Sequence, residues 1–521
     1  MNLLTSIFWI PLIAAALIVL IPRTIRWGIR LVALFATFIT MVLGLVLFCK
    51  FGGAEAVDGY KFTYLAPWVS LDLPASKLFI NFHMGVDGIN LGLVVMGAIV
   101  AFAATCLSKE INRFEKEYYI LLLVMIGGIL GAFMSLDLFF FYFFHELALV
   151  PTFIMIGVWG KGLDRNYATF KITVYLSVGA LLALVGLVML YLQTGANSFN
   201  LIELTKNAAT DPIATADQKL IFPFLLFGFG ILVSLWPFHT WAPTGYAHAP
   251  TATAMLHAGV LKKFGLYGLL RVAIPLLPAG ATAWLECLAL LCLGNILYCG
   301  LVAIKQKDLN FLIGNSSVAH MGFAFLGIAS LSLIGVTGAV ILMVAHGLLA
   351  ALTFGLSGWI RQHTGTTEIE KLGGLLKQLP IVGSFFVVAA LAGCGLPGFG
   401  NFIGEFMVLF GAWKAFPVVT GIAIWGALVI GAVYMMRAVR NIMHGPLNED
   451  FVRLRDADVF RKVPFAILTG CLLLLGVFPR ILTDHVKPRA SEIVELTKVR
   501  APISTTLPIA PVSQGKVKDP D

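Results

Sequence analysis

Residues 255–271 read MLHAGVLKKFGLYGLLR, an apolar helix with a histidine and two adjacent lysines set into its middle. The apolar run around it, residues 251 to 275, is long enough to cross a hydrocarbon core of roughly 30 Å. A Lys, Arg or Asp at the centre of such a helix costs roughly 2.5 to 3.5 kcal/mol on insertion scales, so it is held facing the interior of a bundle or a wet cavity. Lys262 and Lys263 therefore call for neighbouring helices and for polar partners on them.

The rest of the chain supplies both. Hydrophobic residues make up 59% of the 521 and charged residues 12%, against roughly one quarter charged in an ordinary soluble domain. The class is all-α integral membrane protein, with about fourteen transmembrane helices read from apolar length against breakers. The first six lie near 3 to 21, 28 to 50, 86 to 107, 117 to 135, 137 to 159 and 168 to 193. The next four lie near 220 to 240 (broken at its end), 251 to 275, 281 to 304 and 309 to 330. The last four lie near 332 to 360, 380 to 412 (interrupted), 417 to 442 and 463 to 483. One polytopic domain is expected over 1–485, with 486–521 as an extramembrane C-terminal tail. The final APISTTLPIAPVSQGKVKDPD has too little apolar surface and too much proline to pack, and is expected to be mobile. The N-terminal MNLLTSIFWIPLIAAALIVLIP lacks a basic leader and a small-residue cleavage site, so it is expected to be the first span.

A net charge of +9 does not point to nucleic acid, because the basic residues sit in short loops rather than in one patch. With the N-terminus outside, the inner loops receive Arg23, Arg26 and Arg30, then Lys109, Arg113 and Lys116, then Lys161 and Arg165. Further inner groups are Lys305 and Lys307, then Arg361, Lys371 and Lys377, and a cluster from Arg437 to Lys462. The outer loops carry less: Lys61, Lys77, Lys206, Lys219, Arg271 and Lys414. Both termini are thus expected on the outer side of the membrane. The seven cysteines fall mostly inside apolar segments, without metal-ligand spacing, and read as small buried hydrophobes.

Two interruptions mark the bundle. LWPFHTWAPTGYAHAPT places Pro237, Pro243 and Pro250 after a span, and GCGLPGFGNFIGEF places Pro397 amid five glycines. Irregular backbone at membrane depth is tolerated where it is buried in protein or lines a wet cavity, so these breaks are expected near an ion path. Around them the costly residues form a possible polar axis: Glu146 with His145 beside it, Lys262 and Lys263, His320 and His346, and Glu405. A buried lysine that loses hydration takes or releases a proton as a carboxylate partner moves, and histidine exchanges protons close to neutral pH. Bland readings stand beside this. Adjacent lysines are about 100° apart around a helix, so one of them could simply snorkel. Glu146 or Glu405 could be half of a static ion pair. His257 could be a packing residue, and His239 and His248 could only satisfy carbonyls freed by the break.

Seven segments together resemble the antiporter-like subunits of respiratory complex I, the NADH-quinone oxidoreductases. They are FHMGVDGINL (82–91), FFHELALVP (143–151), WPFHTWAPTGYAHAPT (236–251), AGVLKKFGLYGLLR (258–271), DLNFLIGNSSVAHMGFAFLGI (308–328), VAHGLLAALTFGLSG (344–358) and LPGFGNFIGEFMVLFG (396–411). The resemblance runs nearly end to end. It implies fourteen helices in which two inverted five-helix repeats, about 117–275 and about 281–442, carry discontinuous helices 7 and 12. It also implies roles: Glu146 as the carboxylate of the fifth helix, Lys263 as the central lysine of the eighth, His320 and His346 as bridging histidines, and Glu405 as the terminal carboxylate of the twelfth. No NADH, flavin or iron–sulfur cofactor is expected on this subunit. The implied partners are other membrane-arm subunits, neighbouring antiporter-like ones included, in a bacterial inner membrane.

One departure stands out. Where the family usually carries a lysine four residues before the tryptophan-proline of the seventh helix, this chain has Leu232. His257 and Lys262 are additions to the family's pattern, and Lys262 is expected to replace the missing lysine as the partner of Glu146. The function implied is proton translocation driven by quinone reduction elsewhere in a complex. Alternatives are a subunit of a multi-subunit cation/proton antiporter or a non-conducting structural subunit. The carboxylate at 405, where cousins often carry lysine, favours the first.

Overall fold

A computed structural model of the chain describes residues 2–72 and 77–500. Helices α1 (Leu3–Leu20) and α2 (Arg26–Phe51) lead into an antiparallel sheet of β1 (Ala56–Val57), β2 (Tyr60–Asp72) and β3 (Lys77–Val86). Next come α3 (Asn90–Leu107), α4 (Glu115–Met134), α5 (Leu138–Trp159), α6 (Arg165–Gln193) and the short α7 (Leu201–Thr210). The broken pair α8 (Thr215–Val233) and α9 (Trp241–His248) precedes α10, residues 251–276. The second half runs α11 (Pro278–Lys305), α12 (Leu309–Ala329), α13 (Leu333–Thr364), the broken pair α14 (Pro380–Gly393) and α15 (Gly400–Trp413), and α16 (Pro417–Met443). Helices α17 (Val459–Val477) and α18 (Arg480–Arg500) close the described chain.

Among the described residues, twelve helices are long and apolar enough to cross a membrane. Two expected spans are helical but differ in character. Helix α10 carries Lys262, Lys263 and Arg271, and the α14–α15 pair is split by residues 394–399. Leaving out the short α7, helices α4 to α10 and α11 to α16 repeat one order, in which the second helix opens on an aspartate cap and the fourth is broken. Asp137 accepts the backbone N–H of Phe139 at 3.0 Å, and Asp308 accepts those of Asn310 and Phe311 at 2.8 and 3.1 Å, satisfying donors that a helix start leaves free.

The helical membrane bundle is as expected, with one addition: the residues between the second and third spans pair as the small sheet β1–β3. Three expectations need correction. The seventh span ends at Val233 rather than near 240, and a second helical piece, α9, follows the break. Residues 486–500 form a packed helix, not a tail. In α18, Leu482, Val486, Ala490, Ile493, Val494 and Thr497 are buried, a stripe at helical spacing, and a Cβ at Gly88 would lie 1.8 Å from the His485 carbonyl oxygen. Residues 501–521 lie outside the described chain. Finally, Arg271 is not a loop residue: it is 3% exposed inside α10.

Loops expected on the inner side meet one another at one end of the bundle. Arg23 pairs with Glu117, Arg30 with Glu115 and Lys161 with Glu110. The other oxygen of Glu110 accepts the backbone N–H of Thr251 at 2.8 Å and so caps α10, the lysine helix.

Candidate functional site

Helix α10 is not a regular α-helix. Five-residue π-turns occupy His257–Leu261 and Leu269–Ala273, and such turns shift the phase of the side chains that follow. Immediately after the first, Lys263 Nζ donates to the Ala258 carbonyl at 2.6 Å and faces His346 Nδ1 at 2.9 Å. Small residues make this reach possible. A Cβ at Gly259 would lie 2.9 Å from the Gly347 oxygen, and one at Gly347 would lie 2.7 Å from the Gly259 oxygen and 1.9 Å from Met96 Sδ. Helices α10 and α13 therefore touch backbone to backbone beside His346 and one turn before Lys263.

The line continues across the second half. The rings of His346 and His320 have centroids 5.4 Å apart, and His320 Nε2 lies 3.4 Å from Glu405 Oε1. His320 Nδ1 is 2.7 Å from the Ser316 carbonyl oxygen. A carbonyl only accepts, so Nδ1 carries a proton and Nε2 is the atom left to gain or lose one. Helix α15 is seated by the same device as α10: a Cβ at Gly404 would lie 2.8 Å from the Leu342 backbone, and one at Gly338 would lie 2.8 Å from Val408 N. In the break before α15, Gly395 and Gly398 adopt φ of +70° and +104°, a region that favours glycine. A Cβ at Gly395 would lie 3.0 Å from Glu405 Oε2, so the carboxylate rests against this turn. Lys263, His346, His320 and Glu405 are all buried.

The other break is held by one buried side chain. Asn295 Oδ1 accepts the Trp236 N–H at 2.8 Å, and its Nδ2 donates to the carbonyls of Ser234 and Val318 at 2.9 and 3.2 Å. Trp241 Nε1 donates to the Ile231 oxygen at 3.0 Å. Backbone groups freed by the break thus find partners within the protein. His248 Nδ1 lies 2.8 Å from the Thr244 oxygen within α9, and His239 packs edge-on to Tyr298 at 5.7 Å.

The first half does not extend the line. Glu146 is 32% exposed at its side chain and has His145 Nδ1 at 3.4 Å. Among the described residues, no lysine or arginine nitrogen lies within 4.0 Å of it. The expected Lys262–Glu146 pair does not form. The adjacent lysines diverge around α10, and Lys262 Nζ donates to Ser317 Oγ on α12 at 3.3 Å and lies 5.8 Å from the Tyr246 ring centroid. His257 Nδ1 meets the Tyr246 hydroxyl at 3.2 Å. Leu232 is buried in apolar surroundings.

A second charged cluster escaped the sequence reading. Arg271 donates through both terminal nitrogens to Asp87, at 2.6 and 2.7 Å, and through Nε to the Tyr267 hydroxyl at 3.0 Å. Arg489 Nε on α18 approaches the same carboxylate at 3.2 Å, and both arginines donate to the Tyr60 hydroxyl, at 3.0 and 3.1 Å. The available signal was Arg271 itself, eight residues beyond Lys263 in an apolar run. Its partner stands 184 residues away.

Known proteins resemble this chain in sequence and fold. The family described as NADH:quinone oxidoreductase/Mrp antiporter, TM, matches residues 135–431. NADH-quinone oxidoreductase subunit M of Rhodobacter capsulatus is 33% identical over 95% of this chain and 96% of its own. F(420)H(2) dehydrogenase subunit M of Methanosarcina mazei is 34% identical over 87% of this chain and 91% of its own. A chain of respiratory complex I from Thermus thermophilus superposes with a TM-score of 0.84 at 28% identity, covering 95% of this chain and 99% of that one. The chain belongs to the family of membrane subunits common to NADH:quinone oxidoreductases and Mrp antiporters.

Proposed function

We propose that the chain is a proton-translocating membrane subunit of a complex I type NADH-quinone oxidoreductase, with no redox cofactor of its own. The observation that carries this reading is the buried line Lys263–His346–His320–Glu405. Its chemistry is proton exchange between neighbouring bases. An N–H bond of the Lys263 ammonium breaks as His346 Nδ1 takes the proton. The imidazolium then yields a proton toward His320, whose Nε2 passes it to Glu405 Oε1. Histidine suits both middle positions because its ordinary proton affinity lies near neutrality.

Quinone reduction elsewhere in the assembly supplies the driving charge. Its partners are the other membrane-arm subunits, neighbouring antiporter-like ones included. The basic loops that gather at one end of the bundle support an inner-membrane orientation with both termini outside. The test is the number of protons moved per electron in sealed vesicles carrying the intact complex. With Lys263→Ala the ratio falls. An unchanged ratio refutes the reading, and purification of the chain without any redox arm points instead to a cation/proton antiporter.

A further inference from the structure

Lys262 and Lys263 are 1% and 0% exposed, and among the described residues neither has a carboxylate oxygen within 4.0 Å. The ionisable groups around the pair are His239, Tyr246, His257, Cys299, His320 and His346, with Glu405 standing beyond His320. None of these six is an anion in its ordinary state near neutral pH. Two ammonium ions side by side in such a site would repel each other without a counter-charge, and uncompensated charges in a bundle are costly. The two amines also face different helices: Lys262 is on Ser317 of α12 and Lys263 on His346 of α13.

We propose that Lys262 and Lys263 share one excess proton, and that charging Lys262 drives the proton of Lys263 onto His346. The inference rests on the proton-translocating reading and adds a step to it. A proton from the aqueous phase binds the lone pair of the Lys262 amine. An N–H bond of the Lys263 ammonium breaks, and one forms at His346 Nδ1, already 2.9 Å away. The cycle closes when Lys263 is reprotonated at the expense of Lys262, so one proton has entered the histidine line and the pair again holds one charge.

The test uses the intact complex in sealed vesicles, reading protons moved per electron for Lys262→Arg and Lys262→His. Arginine keeps its charge permanently, whereas histidine still gains and loses a proton. A structural cation would tolerate arginine; a shared proton would not. The expected result is at least a tenfold loss with Lys262→Arg and a ratio within threefold of the unsubstituted chain with Lys262→His. Any other pattern overturns the inference, a variant that fails to assemble included. Lys263→Ala, measured alongside, locates the failure. If it abolishes pumping while the position 262 variants do not follow the pattern, only the shared proton is wrong. If pumping survives Lys263→Ala, the proton-translocating reading itself fails.

Discussion

The two halves of the bundle share an order of helices and differ in how their charges are wired. In the second half, glycine contacts press α13 against α15 and against α10, the last helix of the first half, and four buried ionisable groups stand in line from Lys263 on α10 to Glu405. In the first half, Glu146 sits partly exposed beside His145, with no lysine or arginine pairing with it among the described residues, and an apolar leucine fills position 232. The contrast shows that a broken helix and a carboxylate do not by themselves bring buried bases together. Their proximity comes from the close approach of the helices that carry them, and in this chain that approach is concentrated around α13.

The comparison breaks most simply at Lys263. Lys263→Ala removes the junction between the halves, and protons moved per electron in sealed vesicles should fall at least tenfold. Next in size is the cluster that fixes the far end of α10. Asp87→Asn leaves Arg271 with a neutral partner in a buried site, where breaking a charge pair costs about 3–5 kcal/mol; thermal inactivation of the purified complex should shift to distinctly lower temperature. Gly347→Ala puts a methyl group against Met96 and the Gly259 carbonyl. Overpacking of that kind costs about 1–3 kcal/mol, and pumping should drop more than electron transfer because Lys263 is moved away from His346. The subtlest outcome concerns coupling. A double-mutant cycle on pumping rate should be strongly non-additive for Lys263 with His346, which touch. It should be additive within about 0.5 kcal/mol for Lys262 with Glu146, which do not.

Much of this was legible in the sequence, and the rest failed for identifiable reasons. Apolar length located the second span at 28 to 50, and the helix runs Arg26–Phe51. Proline and glycine marked both breaks: proline lacks the N–H that a helix interior uses, and glycine accepts the left-handed backbone seen at Gly395 and Gly398. Lys263, His346, His320 and Glu405 were visible as charges in oil, and the structure places each beside the next. The direction of Lys262 was not legible. Helical spacing of 3.6 residues per turn describes a regular helix, and the π-turn at His257–Leu261 changes the phase just before the lysines. The sheet was missed because attention to apolar length passes over strands such as KFTYL, whose signal is alternation. Helix α18 was read as tail because Pro488 and many charged residues obscure its buried stripe. The Asp87–Arg271 pair joins residues too distant for any local pattern to link.

The central claim, that Lys263, His346, His320 and Glu405 form one connected proton path, is tested most directly by infrared difference spectroscopy of the intact complex during turnover. A carboxyl band assigned through its loss in Glu405→Gln should respond to turnover in the unsubstituted chain and fall silent in Lys263→Ala. A Glu405 band that responds equally in Lys263→Ala would contradict the path.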